Sequence, residues 1–194
     1  MFEEKNSKYC YEGTNVLINK MNIKDFEELK KYEMRIVSLK LVALHKMGIS
    51  GDFTKQHFIN IHKFMFEDLY DFAGKIRTEN IAKDNFRFAD VQFIDSEMDR
   101  IFNELQNENF LEGISKEKLA ERLAYYWGEL NVLHPFREGN GRVTREFLRQ
   151  LALKNGYELS LKNADALALL DASIESIVDT EDLKKLLIQC LEKI

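Results

Sequence analysis

His134, Glu138, Gly139-Asn140-Gly141, Arg142 and Arg145 fall within one run of twelve residues. Together they offer a proton acceptor, a carboxylate, open backbone donors and two forked cations. A neutral imidazole accepts a proton near pH 7, which suits His134 to general base catalysis. Gly139 and Gly141 are poor helix starters because glycine loses backbone entropy, but they leave N–H groups open to a ligand that approaches closely, and an anion fits that description. Arg142 and Arg145 then stand three residues apart in a first helical turn, where the helix dipole disfavours cations, and Arg149 continues the row. A bound polyphosphate would offset the misplacement. The alternative is that the arginines pair with Glu138 or Glu146 on a solvated face.

The elements that position these groups follow from apolar spacing. Leu119, Leu123, Tyr126, Leu130 and Leu133 predict a helix running up to the loop, capped by Ser115, and Val143, Phe147, Leu148, Leu151 and Ala152 predict a second helix running away from it. Pro135, the only proline, stops the first helix at His134 and leaves the imidazole presented at the edge of the loop. Phe136 reads as the hydrophobic pin that anchors the loop in the core.

Upstream, Asp25 and Glu28 form a capping box for a helix carrying Phe26, Leu29, Ile36, Leu39 and Leu44 to Gly48. Thr54 can cap the next helix, whose apolar face is Phe58, Ile61, Met65, Leu69 and Phe72 and which ends before Gly74. His62 falls on that face and His57 does not, so the pair cannot grip one metal and neither is assigned chemistry. Asp90 can cap a helix with Ile94, Met98, Ile101 and Leu105 at helical spacing, and Tyr126 and Trp127 read as packing. Two closing helices are predicted over 164–178 and 180–191. Between 75 and 89 the pattern changes: residues 76–81 and 86–88 look extended, with Asp84-Asn85 at the turn. A lone two-stranded hairpin keeps an unpaired edge, suited to hold a peptide through main-chain hydrogen bonds, although an ordinary surface hairpin would read the same. The expectation is an all-α bundle of seven or eight helices with one small β-hairpin, a single domain over 1–194.

Composition narrows the function. The net charge of −5 is spread without a basic stripe, which argues against nucleic acid. Cys10 and Cys190 sit near opposite ends without metal-ligand spacing and read as reduced thiols. No apolar run approaches the ~18 residues of a membrane span, and the N-terminus lacks a secretory pattern, so a cytoplasmic protein is expected.

From His134 to Arg145 the chain reads histidine, any residue, phenylalanine, any residue, an acid, Gly-Asn-Gly-Arg, two residues, arginine. It resembles the Fic domain family at all eight fixed positions of that pattern. The similarity extends to Tyr11-Glu12-Gly13-Thr14 with Asn19-Lys20, and to Leu69-Tyr70-Asp71-Phe72-Ala73-Gly74-Lys75-Ile76-Arg77. The resemblance implies transfer of AMP from ATP to a Tyr, Thr or Ser hydroxyl of a target protein, an in-line displacement that releases pyrophosphate. It makes His134 the catalytic base and gives Glu138 to Mg²⁺, a hard ion that takes few protein carboxylates. It assigns Gly139, Asn140 and Gly141 to the α- and β-phosphates, and Arg142 and Arg145 to the β- and γ-phosphates. Thr78, Glu79, Asn80 and Ile81 fall on the hairpin called the flap, which docks the target. A Doc-type branch has lysine where Gly141 stands and resembles a kinase, so Gly141 favours AMP transfer. A kinase-like or other phosphate transfer, and a non-catalytic nucleotide- or partner-binding module, are the alternatives.

Family members also carry an inhibitory helix: Ser or Thr, three residues, Glu, then Gly or Asn. No glutamate here fits, and Ser7 to Gly13 is one residue out of register. Either a separate small antitoxin-like protein supplies that glutamate, the reading the resemblance favours, or the enzyme is restrained in some other way. With an ordinary imidazole as base, transfer is expected to decline as pH falls through about 6.5.

Overall fold

The computed structural model describes residues 7–47, 51–83, 86–162 and 164–194. Around the chemical run, capping and apolar spacing act as predicted. Ser115 caps α4 (Lys116–Leu133), its hydroxyl oxygen accepting from the Lys118 N–H at 3.2 Å. The helix stops at His134, whose backbone is left-handed with φ 46°; the proline that follows disfavours a right-handed turn there. α5 (Asn140–Lys154) leaves the loop, and the apolar series of both helices are buried.

Against this pair pack α2 (Lys55–Phe66), α3 (Val91–Asn107) and α7 (Glu181–Cys190). Phe58 of α2 marks the join, its ring 5.6 Å from Phe102 of α3, 5.6 Å from Phe136 and 5.5 Å from Phe147 of α5. Ile94, Met98, Ile101 and Leu105 are buried as their spacing predicts. α1 (Phe26–Met47) rests on α2 and starts at the predicted cap, where the Asp25 carboxylate accepts from the Glu28 N–H at 2.8 Å. Leu29, Val37 and Leu44 point inward, whereas Leu39, expected in the core, is 69% exposed. The predicted stop at Gly48 lies outside the described residues. Seven α-helices among the described residues make the fold all-α, and none of them is long and apolar enough to cross a membrane.

Several elements depart from expectation. α2 ends at Phe66, well before Gly74; Leu69 and Phe72 are still buried, but on a series of turns. His57, expected off the apolar face, is buried along with His62. The closing helices are shorter than predicted, α6 (Ala166–Glu175) and α7, and the chain then straightens into β4 (Leu191–Lys193), antiparallel to β3 (Tyr157–Leu159) with Glu158 opposite Glu192. A short apolar run such as Leu186 to Leu191 reads equally as helix or strand, and burying Leu191 and Leu159 decides for pairing.

The flap hairpin is smaller and later than predicted: β1 (Ala82–Lys83) pairs with β2 (Phe86–Arg87), extended by the Phe88 N–H donating to the Ile81 carbonyl at 3.3 Å. The predicted turn residues Asp84-Asn85 lie outside the described residues. Thr78, Glu79, Asn80 and Ile81 form an irregular approach whose groups bond inward. The Thr78 N–H donates to the Tyr9 hydroxyl at 3.0 Å, and the Glu79 carboxylate accepts from the Ser7 hydroxyl at 2.7 Å and the Lys8 N–H at 2.8 Å. Asn80 Oδ1 accepts from the Val91 N–H at 2.9 Å, capping α3 where Asp90 was expected to, and Ile81 is buried. Polar side chains that find nearby backbone partners compete with ladder pairing, which period-two spacing alone does not reveal.

Arg77, 1% exposed, ties this approach to the end of α4. Its Nε donates to the His134 carbonyl at 2.8 Å, Nη2 to those of Leu133 at 3.3 Å and Ala89 at 2.5 Å, and Nη1 to that of Glu79 at 2.7 Å. Its own N–H donates to the Pro135 carbonyl at 2.9 Å. Each buried carbonyl left without a donor costs about 1–3 kcal/mol, so Arg77→Met is expected to lower the unfolding free energy by at least about 3 kcal/mol in urea titrations. A loss below about 1 kcal/mol would show the clamp to be dispensable for stability.

Candidate active site

A cavity of about 1110 Å³ opens beside the α4–α5 loop, lined by His134, Glu138, Gly139, Asn140, Gly141, Arg142 and Arg145 together with residues of α1, α6 and the hairpin. His134 is half-buried at its edge and stacks on Phe88, with ring centroids 3.8 Å apart and planes 25° apart. Its Nδ1 lies 3.0 Å from the Asn131 carbonyl. A carbonyl only accepts, so Nδ1 carries the proton and the lone pair is on Nε2. Burial pushes this imidazole down to about 4, the Asn131 carbonyl working against that and the charges of Arg77 and Lys83 adding to it. His134 is thus neutral throughout pH 5–8. The decline in activity expected near pH 6.5 moves below that range, because the ring is packed where the sequence left it presented.

The loop closes on itself beneath the cavity. Asn140, buried, accepts from the Phe136 N–H at 2.8 Å through Oδ1 and donates to the Phe136 carbonyl at 2.8 Å through Nδ2. Phe136 is fully buried between His62, 3.8 Å away in near-parallel stacking, and Phe58. His62 completes the support: its Nδ1 accepts from the Gly74 N–H at 2.8 Å, so Nε2 carries the proton and donates to the Glu138 carbonyl at 3.1 Å. Burial holds His62 down to about 4, with the Glu138 carbonyl opposing and the Arg142 charge reinforcing. Gly139 has φ +83°, and a Cβ there would lie 2.3 Å from the Phe66 ring, so no other residue fits.

Asn140 therefore serves the loop with its side chain. What it leaves open is main chain: the N–H groups of Asn140 and Gly141 have no partner among the described residues, whereas that of Gly139 is taken by Glu138 Oε1 at 2.8 Å. Two open donors at the start of α5 make an anion cradle.

The three arginines divide between the two readings of the sequence. Arg149 pairs with Glu146 through two bonds of 2.9 Å, the partner expected in the ion-pair reading, but Glu146 is buried, so the pair does not lie on a solvated face; Arg149 does not reach the cavity. Arg142 is shared: Nη1 meets Glu33 of α1 at 2.7 Å, Nη2 meets Glu138 Oε1 at 3.2 Å, and the guanidinium lies 4.8 Å over the Phe66 ring. The second oxygen of Glu33 accepts from the Tyr70 hydroxyl, whose ionisation burial pushes far up. Arg145 has no carboxylate partner among the described residues, and its burial and the nearby Arg142 both work against its charge. A Cβ at Gly141 would stand 3.3 Å from Arg145 Nη1, so the glycine leaves room for that guanidinium.

Residues 52–152 match the Fic/DOC family. The chain belongs to the Fic/DOC family. It is 39% identical over 188 residues to the protein adenylyltransferase VbhT of Bartonella schoenbuchensis, a match covering 97% of this chain and 39% of that protein. It is 37% identical over 161 residues to the probable protein adenylyltransferase Fic of Salmonella typhimurium, covering 82% of this chain and 78% of that one. Among solved structures, BepC of Bartonella tribocorum with bound AMPPNP aligns with a TM-score of 0.87 at 25% identity, over 96% of this chain and 97% of that one. The chain spans less than half the length of VbhT.

On the Fic/DOC frame the fold gathers every predicted loop residue: seven line the cavity and Phe136 lies under it. Thr78, Glu79, Asn80 and Ile81 stand outside it, and the hairpin residues that reach it are Lys83, Phe86 and Phe88. The stretch from Ser7 to Gly13 is a pair of turns, not a helix. Sequence reasoning missed the roles of Glu33, which holds Arg142, of Tyr70, which holds Glu33, and of His62 and Arg77, which hold the loop. An arginine in the mostly apolar approach to the hairpin was a usable signal for Arg77; for Glu33, on a long polar helix, there was none.

Buried neutral histidines make stability pH-dependent. His62 ionises near 4 in the fold and near 6.5 unfolded, so its contribution is complete above about 6.5 and is lost as pH falls toward 4. The difference is on the order of 3 kcal/mol. Urea titrations from pH 7 to 4 are expected to show a steeper loss for the native chain than for His62→Gln; parallel curves would refute the assignment.

Proposed function

We infer that this chain binds ATP in the cavity and transfers AMP to a Tyr, Thr or Ser hydroxyl of a target protein, releasing pyrophosphate. The observation that carries the reading is one cavity in which a neutral imidazole with its lone pair on Nε2 shares space with two open N–H donors at a helix start. The names of VbhT and of the Salmonella relative, and the AMPPNP in BepC, support it.

The chain's own groups supply the base and the phosphate contacts. His134 Nε2 takes the proton of the attacking hydroxyl as its oxygen bonds to the α-phosphorus, and the bond from that phosphorus to the bridging oxygen breaks with pyrophosphate leaving. The Asn131 carbonyl fixes the tautomer this requires. The N–H groups of Asn140 and Gly141 receive phosphate oxygens, and Arg145 takes the terminal phosphate with forked donors. Arg142, already oriented by Glu33, Glu138 and Phe66, forms the wall of the triphosphate site. Glu138 fits Mg²⁺: Oε1 is engaged by Gly139 and Arg142, Oε2 has no hydrogen bond among the described residues, and this ion takes one or two carboxylates beside phosphate oxygens. When bound it would neutralise charge on the leaving group. The target segment pairs with the hairpin edge at Ala82, Lys83, Phe86 and Arg87, in place of the predicted Thr78 to Ile81. Both cysteines are buried and unpaired, in keeping with a reducing cytoplasm.

Restraint of the enzyme is assigned to a separate small protein of the antitoxin kind. A partner glutamate against Arg145 would occupy the space of the γ-phosphate, and Arg145 is the loop arginine without a carboxylate among the described residues.

Incubation with α-labelled and γ-labelled ATP tests the reaction class: label is expected on protein only from α-labelled nucleotide, and transfer of the γ label would show a kinase. His134→Ala is expected to abolish transfer while leaving ATP affinity within about three-fold, since general base catalysis alone contributes roughly 10²–10⁴. Equal loss of nucleotide binding would make His134 structural.

A further inference from the structure

The hairpin assigned to target docking also touches the catalytic group. Phe88, the residue after β2, continues the ladder through its N–H to the Ile81 carbonyl and lays its ring on the imidazole of His134 at a centroid distance of 3.8 Å. Phe86 meets Phe88 edge-on at 5.2 Å, so the aromatic side chains of β2 and of the residue after it form one wall of the cavity beside the imidazole.

We propose that Phe88 is a positioning residue for His134: its ring fixes the plane of the imidazole and keeps water from it, so the strand that receives the target also aims the base.

Two contacts of different kinds act on the imidazole. The Asn131 carbonyl fixes which nitrogen carries the proton, and a hydrogen bond to one nitrogen does not by itself set χ2, where sp² torsions are broad. A ring stacked against one face removes that freedom. His134 is left-handed and falls outside the side-chain rows of α4. Phe88 reaches it because Arg77 holds the carbonyls of Ala89 and His134 on one guanidinium and so locks the residue after Phe88 against the backbone of the base. The Ala89 N–H, donating to the Val132 carbonyl at 3.1 Å, adds a second tie.

Water exclusion follows from the same contact. The charged groups acting on the imidazole are Arg77 and Lys83, with Glu138 and Arg145 elsewhere on the cavity wall. Burial is nevertheless the largest influence holding His134 neutral. Phe88 covers one face of the ring at 3.8 Å, so removing it should admit solvent there and let the imidazole titrate closer to its ordinary value.

This rests on the base role given to His134 above, and the test separates the two. Phe88→Ala and Phe88→Tyr are compared with the native chain by thermal melting, by NMR titration of the His134 ring protons, and by transfer from α-labelled ATP between pH 5 and 8. In the native chain the titration and the rate are expected to be flat over that range. In Phe88→Ala the His134 titration should move up by at least about one pH unit toward 6.5. The acid limb of the rate should follow it, and transfer at pH 7.5 should fall about ten-fold with ATP affinity unchanged. Phe88→Tyr, which keeps the ring, should restore both profiles. A folded Phe88→Ala whose His134 titration stays put overturns the proposal, whether transfer is unchanged or is lost through docking alone. If the native chain transfers no label, the reaction reading fails, while the NMR titration still decides whether Phe88 shields His134.

Discussion

A fully buried guanidinium holds this active site together. Burying an unpaired arginine among apolar side chains is prohibitive, and here the charge is met by carbonyl dipoles: those of Leu133 and His134 at the end of α4, and those of Glu79 and Ala89 on the two stems of the hairpin. The last carbonyls of a helix lack intrahelical partners and carry the negative end of its dipole, so a cation there is stabilised and satisfies them at once. The planar fork of Arg77 imposes geometry as well as charge, which lysine would not reproduce. One side chain thereby fixes the left-handed turn at His134 and the separation of the hairpin stems.

A second closure works inside that frame. Asn140 spans the Phe136 peptide with both ends of its amide, His62 bridges Gly74 and the Glu138 carbonyl, and Phe136 is clamped between two rings. The hydrogen bonds of Asn140 and His62 satisfy buried polar groups that the tight loop would otherwise orphan. The result is a loop tied down on its inner side, whose outer side offers the N–H groups of Asn140 and Gly141. Side-chain closure by Asn140 is what frees the main chain for a ligand.

The loop was legible because its residue types are costly for any other purpose: glycines starting a helix, cations at its positive end, a histidine before the only proline. The helices carrying it were legible from period alone. The hairpin was harder, since two-residue strands are specified by tertiary contacts, and Thr78 and Asn80 look strand-like until Tyr9 and Val91 claim their groups. His134 was misjudged in environment, because its packing comes from Phe88 and Arg77, remote in sequence and brought close by the fold. The β3–β4 pair and the early end of α2 show the ambiguity of short apolar runs.

The charges around the cavity then explain why the two arginines of the first turn of α5 are not equivalent. Arg142 faces Glu33 and Glu138, so an incoming polyphosphate must compete with two carboxylates for its donors, and its main contribution is shape. Arg145 faces neither, and its charge is disfavoured by burial and by Arg142 beside it. A cation held under that tension gains more from an anion than a paired one does, because the ligand relieves an existing desolvation cost and replaces no partner. The same reasoning covers any carboxylate that could reach it. On the function proposed above, Arg145 is therefore the position at which a nucleotide phosphate and an inhibitory carboxylate would compete most directly, and Gly141 would matter to both because a side chain there would crowd that guanidinium.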